Sequence, residues 1–340
     1  MPKNVDFSKV AVFTDIHYGM RNNSRDHNDS CEGFIKWMIE QSEEQGIKTC
    51  IFGGDFHHVR AAINISTLNY SVSGLRLLSS YFDNIFFIIG NHDLFYRDKY
   101  EIHSLPYVTE FPNITLVDQN LEMDGVAFVP WLVKDDWKKV PEIKSPYMFG
   151  HFELPRFKMN AMVEMPDHGE IRVENFSGIE SVYSGHFHLR QHKKNINYIG
   201  NCFPHNFADA GDDQRGMMIK EWGCEDQYFA WPGQPLYRVM KLSEAIDHGK
   251  NVLRPNMHVR VELDIDISYE EANFIKDTFV REHNLREMAL IPSKRTDIDI
   301  DLAPGEVKFE SVDQIVTDQL TNIESEFYDP KLLLKIYQNL

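Results

Sequence analysis

The sequence predicts a mixed α/β fold: two β-sheets packed as a sandwich, flanked by helices, with a small β-α-β module after them. Three observations carry that prediction. Short apolar runs rich in strand formers recur through residues 10–219, and each stops at a polar or glycine cluster, as buried strands with loops at their carboxyl ends do. Stripes of helical period lie between the first of these runs. Around Trp231-Pro232-Gly233-Gln234-Pro235 turn-formers interrupt the chain, and the segment beyond has strand and helix signals of its own.

In chain order, residues 10–13 predict a first strand that leads into Asp15 and His17, residues 49–52 a second leading into Asp55, and residues 85–89 a third leading into Asn91 and His92. Between them, Phe34, Met38 and Ile39 share one helical face, and Leu68, Val72, Leu75, Ser79 and Phe82 follow the helical repeat, so both segments read as helices covering the sheet. Residues 147–149 lead into His151 and residues 181–183 into His186 and His188, and further strand-like runs at 113–117, 126–131, 197–199 and 216–219 suggest a second sheet packed on the first. Farther on, residues 258–267 alternate as a strand, 269–283 read as an amphipathic helix, and 287–291 as a returning strand. The expected domains are therefore 1–235 for the chemistry, 236–310 for a small capping unit and 311–340 for a tail. That tail is acidic and then apolar at Leu332, Leu333, Leu334, Ile336 and Tyr337, a pattern that can dock in a partner's groove as a helix or pack back on its own domain.

At 340 residues with 42% hydrophobic content the chain can bury a large core. No apolar run reaches the roughly 20 residues needed to span a bilayer, and the start lacks an apolar signal core, so a soluble cytoplasmic protein is expected. Cys31, Cys50, Cys202 and Cys224 are scattered without a CxxC pair and read as free thiols of a reducing compartment. The net charge of -17 argues against autonomous tight binding of a polyanion. It leaves room for local cationic contacts, for which Arg21, Arg25, Arg60, Arg97, Lys99, Lys193 and Lys194 are the candidates near the motif loops, with a solvated basic face as the plain alternative.

Chemistry concentrates in four clusters: Asp15-Ile16-His17, Gly53-Gly54-Asp55-Phe56-His57-His58, Gly90-Asn91-His92-Asp93 and Gly185-His186-Phe187-His188, with Gly150-His151 before the last. Carboxylate, carboxamide and imidazole donors together suit Mn²⁺, Fe²⁺ or Zn²⁺, and the lack of thiolates argues against a structural zinc knot. Two such ions about 3.5–4 Å apart clamp the attacking and leaving oxygens of a phosphoester displacement. Gly54, Gly90, Gly150 and Gly185 allow tight backbone turns before the ligands. Asp93 can either hydrogen-bond His92 and raise its basicity or cap the loop. His27, His103, His168, His192 and His205 read as ordinary polar residues, with His205 near enough to the last cluster to be examined.

Asp-x-His, Gly-Asp, Gly-Asn-His-Asp, Gly-His and Gly-His-x-His, in that order and each after a strand-like run, resemble the calcineurin-like metallophosphoesterase superfamily. The resemblance implies the metallophosphoesterase fold and two divalent ions, Mn²⁺ or else Mg²⁺. It assigns Asp15, His17, Asp55 and His188 to one ion and Asp55, Asn91, His151 and His186 to the other, with Asp55 bridging. His92 would act on the phosphate and its leaving oxygen. A histidine three residues beyond the Gly-Asp carboxylate further resembles the Mre-eleven/SbcD family of double-strand-break repair nucleases, including its compact bacteriophage members. His58 is the matching position and His57 the neighbouring alternative. That family implies exonuclease action on duplex ends, endonuclease action on single strands, a homodimer, and a coiled-coil SMC-like ATPase partner contacted by the tail. A small-molecule or protein phosphoesterase shares the metal set, although the Asp-Arg-Gly element of protein phosphatases is missing after Asp55. A mainly structural subunit would show lost ligands, and every matched ligand is present.

Overall fold

The computed structural model describes residues 5–159 and 163–292. Strands β1 (Lys9–Phe13), β2 (Thr49–Phe52), β3 (Asn84–Ile88) and β4 (Ile114–Val117) run parallel side by side, and the antiparallel β11 (Gly216–Glu221) and β12 (Gln227–Ala230) extend the sheet beyond β1. The second sheet holds β5 (Leu121–Met123), β6 (Val126–Val129), β7 (Tyr147–His151), β8 (Ser181–Gly185), β10 (Ile196–Tyr198) and β9 (Gln191–Lys193), in that spatial order.

Burial on both faces explains why the runs are continuously apolar rather than alternating. Along β1, Val10 and Val12 enter the layer between the sheets with Ile51, Phe86, Phe128, Phe149 and Tyr183, while Ala11 and Phe13 turn outward onto the helices. Helices α2 (Arg25–Glu44) and α3 (Ile65–Tyr81) cover that outer face and form the crossovers that parallel strands require. The outer face of the second sheet carries a separate core built on Val182, Phe152, Phe176 and Tyr198. Among the described residues no helix is long and apolar enough to cross a membrane. Cys31, Cys50 and Cys202 are buried free thiols and Cys224 is an exposed one.

The runs 113–117 and 216–219, read toward a second sheet, instead pair with β3 and β1 in the first; two further elements also depart from the sequence reading. The inward face of α3 is Thr67, Ser71, Gly74, Leu75 and Leu78, while Leu68 is 37% exposed, so the buried stripe is rotated from the apolar one. The reason is close approach: a side chain at Gly74 would collide with the Tyr18 hydroxyl and press on Ile35 of α2. Small residues face inward there because the two helices touch.

The module after residue 235 is larger than a single β-α-β. Strand β13 (Leu236–Lys241) and helix α4 (Leu242–Val252) precede β14 (Met257–Leu263), α5 (Tyr269–Glu282) and β15 (Glu287–Pro292), and the three strands form their own parallel sheet. Among the residues of β13 only Tyr237 and Met240 are fully buried, and α4 starts directly at its end without a glycine or proline, so neither element announces itself. Val259 and Val261 face the helices in the module's core. On the opposite face Tyr237, His258 and Glu287 sit in register across the three strands. Residues 293–310 of the expected capping unit and the whole tail 311–340 lie outside the described residues.

Short of the strands, the turn α1 (Met20–Asn23) has left-handed backbone at Arg21 and Asn22. It aims the Arg21 guanidinium at the third sheet, where it meets the His258 ring at 2.9 Å and the Glu287 carboxylate at 2.9 Å.

Candidate metal centre

Strands β1, β2 and β3 of one sheet and β7 and β8 of the other end on a common edge, and the five motif loops leave from those ends. The loops are held in an unusual backbone geometry. Asp15, His17, Asp55 and His186 all have positive φ, at 53°, 51°, 62° and 88°. Asp and His tolerate this region better than most residues, yet each instance costs on the order of 1 kcal/mol and persists only where surrounding bonds hold it. Those bonds are present. The amides of Asp15 and His17 donate to the carbonyls of Gly54 and Asp55, at 2.9 and 3.1 Å. Asp93 accepts from the amides of Asp55, Phe56, His57 and Gly90 at 2.9 to 3.2 Å. Asp93 is therefore the clamp of the Gly-Asp loop, while the Nδ1–H of His92 donates to the His58 carbonyl at 2.7 Å.

Space matters as much as torsion. Of the four motif glycines only Gly54 has positive φ. A side chain at Gly90 would strike the Asp55 carboxylate, one at Gly150 the Phe152 ring, and one at Gly185 the Thr14 hydroxyl. These glycines are needed for close approach rather than for turning.

The donors fall into two groups that share Asp55. In the first, the Nε2 atoms of His17 and His188 are 3.2 Å apart, His17 is 3.6 Å from Asp55 Oδ2, and both rings are 3.8 Å from Asp15 Oδ1. In the second, Asn91 Oδ1 lies 3.0 Å from His151 Nε2 and 2.9 Å from His186 Nδ1, and His151 Nε2 is 3.4 Å from Asp55 Oδ2. Donors bonded to one ion at about 2.0–2.2 Å stand roughly 3–3.5 Å apart around it. The spacing and chemistry of both groups thus fit a divalent cation each. All seven residues expected as metal ligands meet here.

Second contacts orient the rings. His151 Nδ1–H donates to the Gly53 carbonyl at 2.8 Å, which leaves Nε2 as the ring atom facing Asp55 and Asn91. His186 Nε2 meets Glu153 at 3.0 Å, so its Nδ1 is the donor atom. Glu153 was invisible in the sequence reading, where only its position two residues after His151 could have pointed to it. Thr14 donates to Asp15 at 2.6 Å, and the His186 amide donates to the same carboxylate at 3.1 Å.

Burial dominates the electrostatics. It drives His17 well below the ordinary imidazole range, despite Asp55 beside it, and takes His188 down to about 4. It also raises Asp15 to about 7. Burial opposes charge on His151 too, but Asp55 and Asp15 outweigh it and push that ring up to about 9. For Asp55 burial again works toward protonation, and the His151 charge overcomes it and holds the carboxylate well below its usual range. The pocket thus gathers lone pairs and carboxylates that an ion would compensate.

Around this pair of groups stand the other histidines. His58 Nδ1 is 3.4 Å from His17 Nδ1, and its ring stacks on His92 at 5.3 Å between centroids. His57 turns away, bonded to Ser104 Oγ at 2.9 Å and Tyr107 at 3.2 Å. His205, which the motifs do not include, is fully buried against His17 and His188, with ring centroids 5.5 and 5.2 Å away. The basic candidates divide. Arg21 is committed to the third sheet, Lys194 pairs with Glu174 at 3.0 Å, and Lys193 donates to the Arg156 carbonyl. Arg60 and Arg97 remain close to each other and within electrostatic reach of Asp55 and Glu153, respectively.

The family model for calcineurin-like phosphoesterases matches residues 8–190, and the chain belongs to that family. Exonuclease subunit 1 of Enterobacteria phage T4 is 29% identical over 204 residues, which cover 57% of this chain and 59% of that protein. The chain therefore matches less than two thirds of that relative's length. Two solved structures are also similar. They are the nuclease MPE of Pseudomonas putida (16% identity, TM-score 0.30, covering 58% of this chain and 70% of that one) and a dimetal phosphatase from Danio rerio (10%, 0.37, 66% and 98%).

Proposed function

We propose that this phosphoesterase is a Mn²⁺-dependent DNA nuclease, hydrolysing phosphodiesters at duplex ends and in single strands as a subunit of a double-strand-break repair and recombination complex. The observation that carries the reading is the pair of donor groups joined at Asp55, with the stacked rings of His58 and His92 gathered against His17. Two bound ions would supply an activated water and neutralise phosphate charge. Asp15, His17, Asp55 and His188 would hold one, and Asp55, Asn91, His151 and His186 the other.

The chain's own part of the reaction follows from hydrogen bonding. With Nδ1 engaged by the His58 carbonyl, His92 keeps Nε2 for the phosphate, where it steadies developing charge and hands a proton to the leaving oxygen. Stacking under His92, the His58 ring fixes its plane. Arg60 and Arg97 are the cations placed to meet flanking phosphates.

The likeness to a phage exonuclease subunit supports DNA as substrate and a multi-subunit setting. Within that setting we assign residues 1–235 to catalysis, 236–310 to selecting DNA at the site entrance, and 311–340 to docking an SMC-like ATPase. A homodimer in the cytoplasm, the host's for a phage-encoded chain, completes the reading. The direct test is hydrolysis with Mn²⁺ of duplex DNA, single-stranded DNA and nucleotide monoesters, with and without the ATPase. Cleavage of both DNA forms is expected. Activity on monoesters alone would mark a small-molecule phosphatase and overturn the nuclease reading.

A further inference from the structure

We propose that His205 is an additional metal ligand, a third imidazole at the position formed by Asp15, His17 and His188. The proposal rests on the two-ion reading above and adds a residue that the family's motif order does not contain.

The first observation is the ring itself. His205 is completely buried, and neither of its nitrogens has a hydrogen-bond partner among the described residues. Buried imidazoles nearly always satisfy at least one nitrogen, so a ring with neither satisfied calls for a water or an ion that the protein atoms do not supply. The second is location. Donor atoms of His17, His188 and His205 all fall within 4.8 Å of one another, the same proximity that unites Asp55, His151 and His186.

The third observation is the effort the fold spends on holding this residue. The His205 amide donates to Asp209 Oδ2 at 2.8 Å, and its carbonyl accepts from the Tyr237 hydroxyl at 2.9 Å. Asp209 pairs at 3.2 Å with the buried Arg215, which also donates to the carbonyl of His188. One buried ion pair therefore fixes the main chain of both His188 and His205. A histidine that only filled space would not need the same anchor as a ligand.

A third nitrogen donor makes this position richer in imidazole than its neighbour, which has two imidazoles with a carboxamide, and biases it toward borderline transition metals. The test uses the full chain, stripped of metal and titrated with Mn²⁺ and, separately, with Co²⁺, whose visible absorption reports its donors. His205→Leu removes the donor at similar volume, and His205→Gln replaces the nitrogen with a carboxamide. His205→Leu is expected to weaken one of two ion positions by about 10–100-fold or more and to change the Co²⁺ spectrum, and His205→Gln to alter the spectrum with a smaller loss. Two ions bound by His205→Leu with unchanged affinity and an unchanged spectrum would overturn the proposal. Should His205→Leu fail to fold, an unaltered spectrum in His205→Gln would do the same. Failure of the unsubstituted chain to take up two ions would instead overturn the two-ion reading itself.

Discussion

In the proposed site Asp55 would serve both ion positions from one side chain: Oδ1 accepts the His92 amide at 2.8 Å while Oδ2 faces His17 and His151. Asp55→Asn removes the charge that both positions share, so Mn²⁺-dependent cleavage should vanish and ion content, measured by atomic absorption, should fall. A variant that kept two ions and near-normal hydrolysis would disprove the bridging role. His92→Ser should separate chemistry from binding: ion content stays close to that of the parent while turnover drops by roughly 10²–10⁴-fold. Loss of ions in that variant would make His92 a ligand instead. That the seven expected ligands come together could be read from sequence because each lies at or just past the end of a strand, and such strand ends share an edge. Asp93 had two readings in the sequence, and the structure shows the loop cap, on amides of its own loop and of the Gly-Asp loop. Glu153 could not be read, because its partner ring lies thirty-three residues later.

At the scale of elements, periodicity located α2 and α3 but misjudged which face of α3 turns inward, because a glycine in helix contact carries no hydropathy signal. The third sheet was half visible: β14, α5 and β15 carry strand and helix periodicity, whereas the edge strand β13, with burial only at Tyr237 and Met240, has no regular alternation. That sheet docks through His258, 1% exposed and stacked on Tyr237 at 4.6 Å between centroids. Burial, with Arg21 beside it, lowers His258 to about 4 from an ordinary 6.5. The sign follows from proton counts. Below about 6.5 the unfolded chain binds a proton that the folded chain refuses until about 4, so stability is lost as pH falls through that window and is unaffected above it. His258→Phe keeps the stacking ring without the proton site, and its melting temperature should decline less than that of the parent between pH 7 and pH 5. Equal declines would show that His258 does not contribute.

At the scale of the whole molecule, two sheets converge their loops on one edge and a third sheet abuts that edge. If the tail docks an SMC-like ATPase as proposed, deleting residues 331–340 should weaken capture of the ATPase while leaving cleavage of short DNA and the melting temperature unchanged. Undiminished capture, or an unfolded product, would refute that assignment. The row Tyr237, His258 and Glu287 has a wider consequence. Through Arg21 it grips the turn just past His17, and through the Tyr237 hydroxyl it grips the main chain of His205. If ions bind as proposed, with His205 among their ligands, these contacts link ion uptake to the seating of the third sheet, and such a coupling is reciprocal. On that reading a change that loosens the sheet weakens ion affinity by the factor by which ion loss loosens the sheet, so a ligand gripping residues 236–292 could tune the metal centre without touching it.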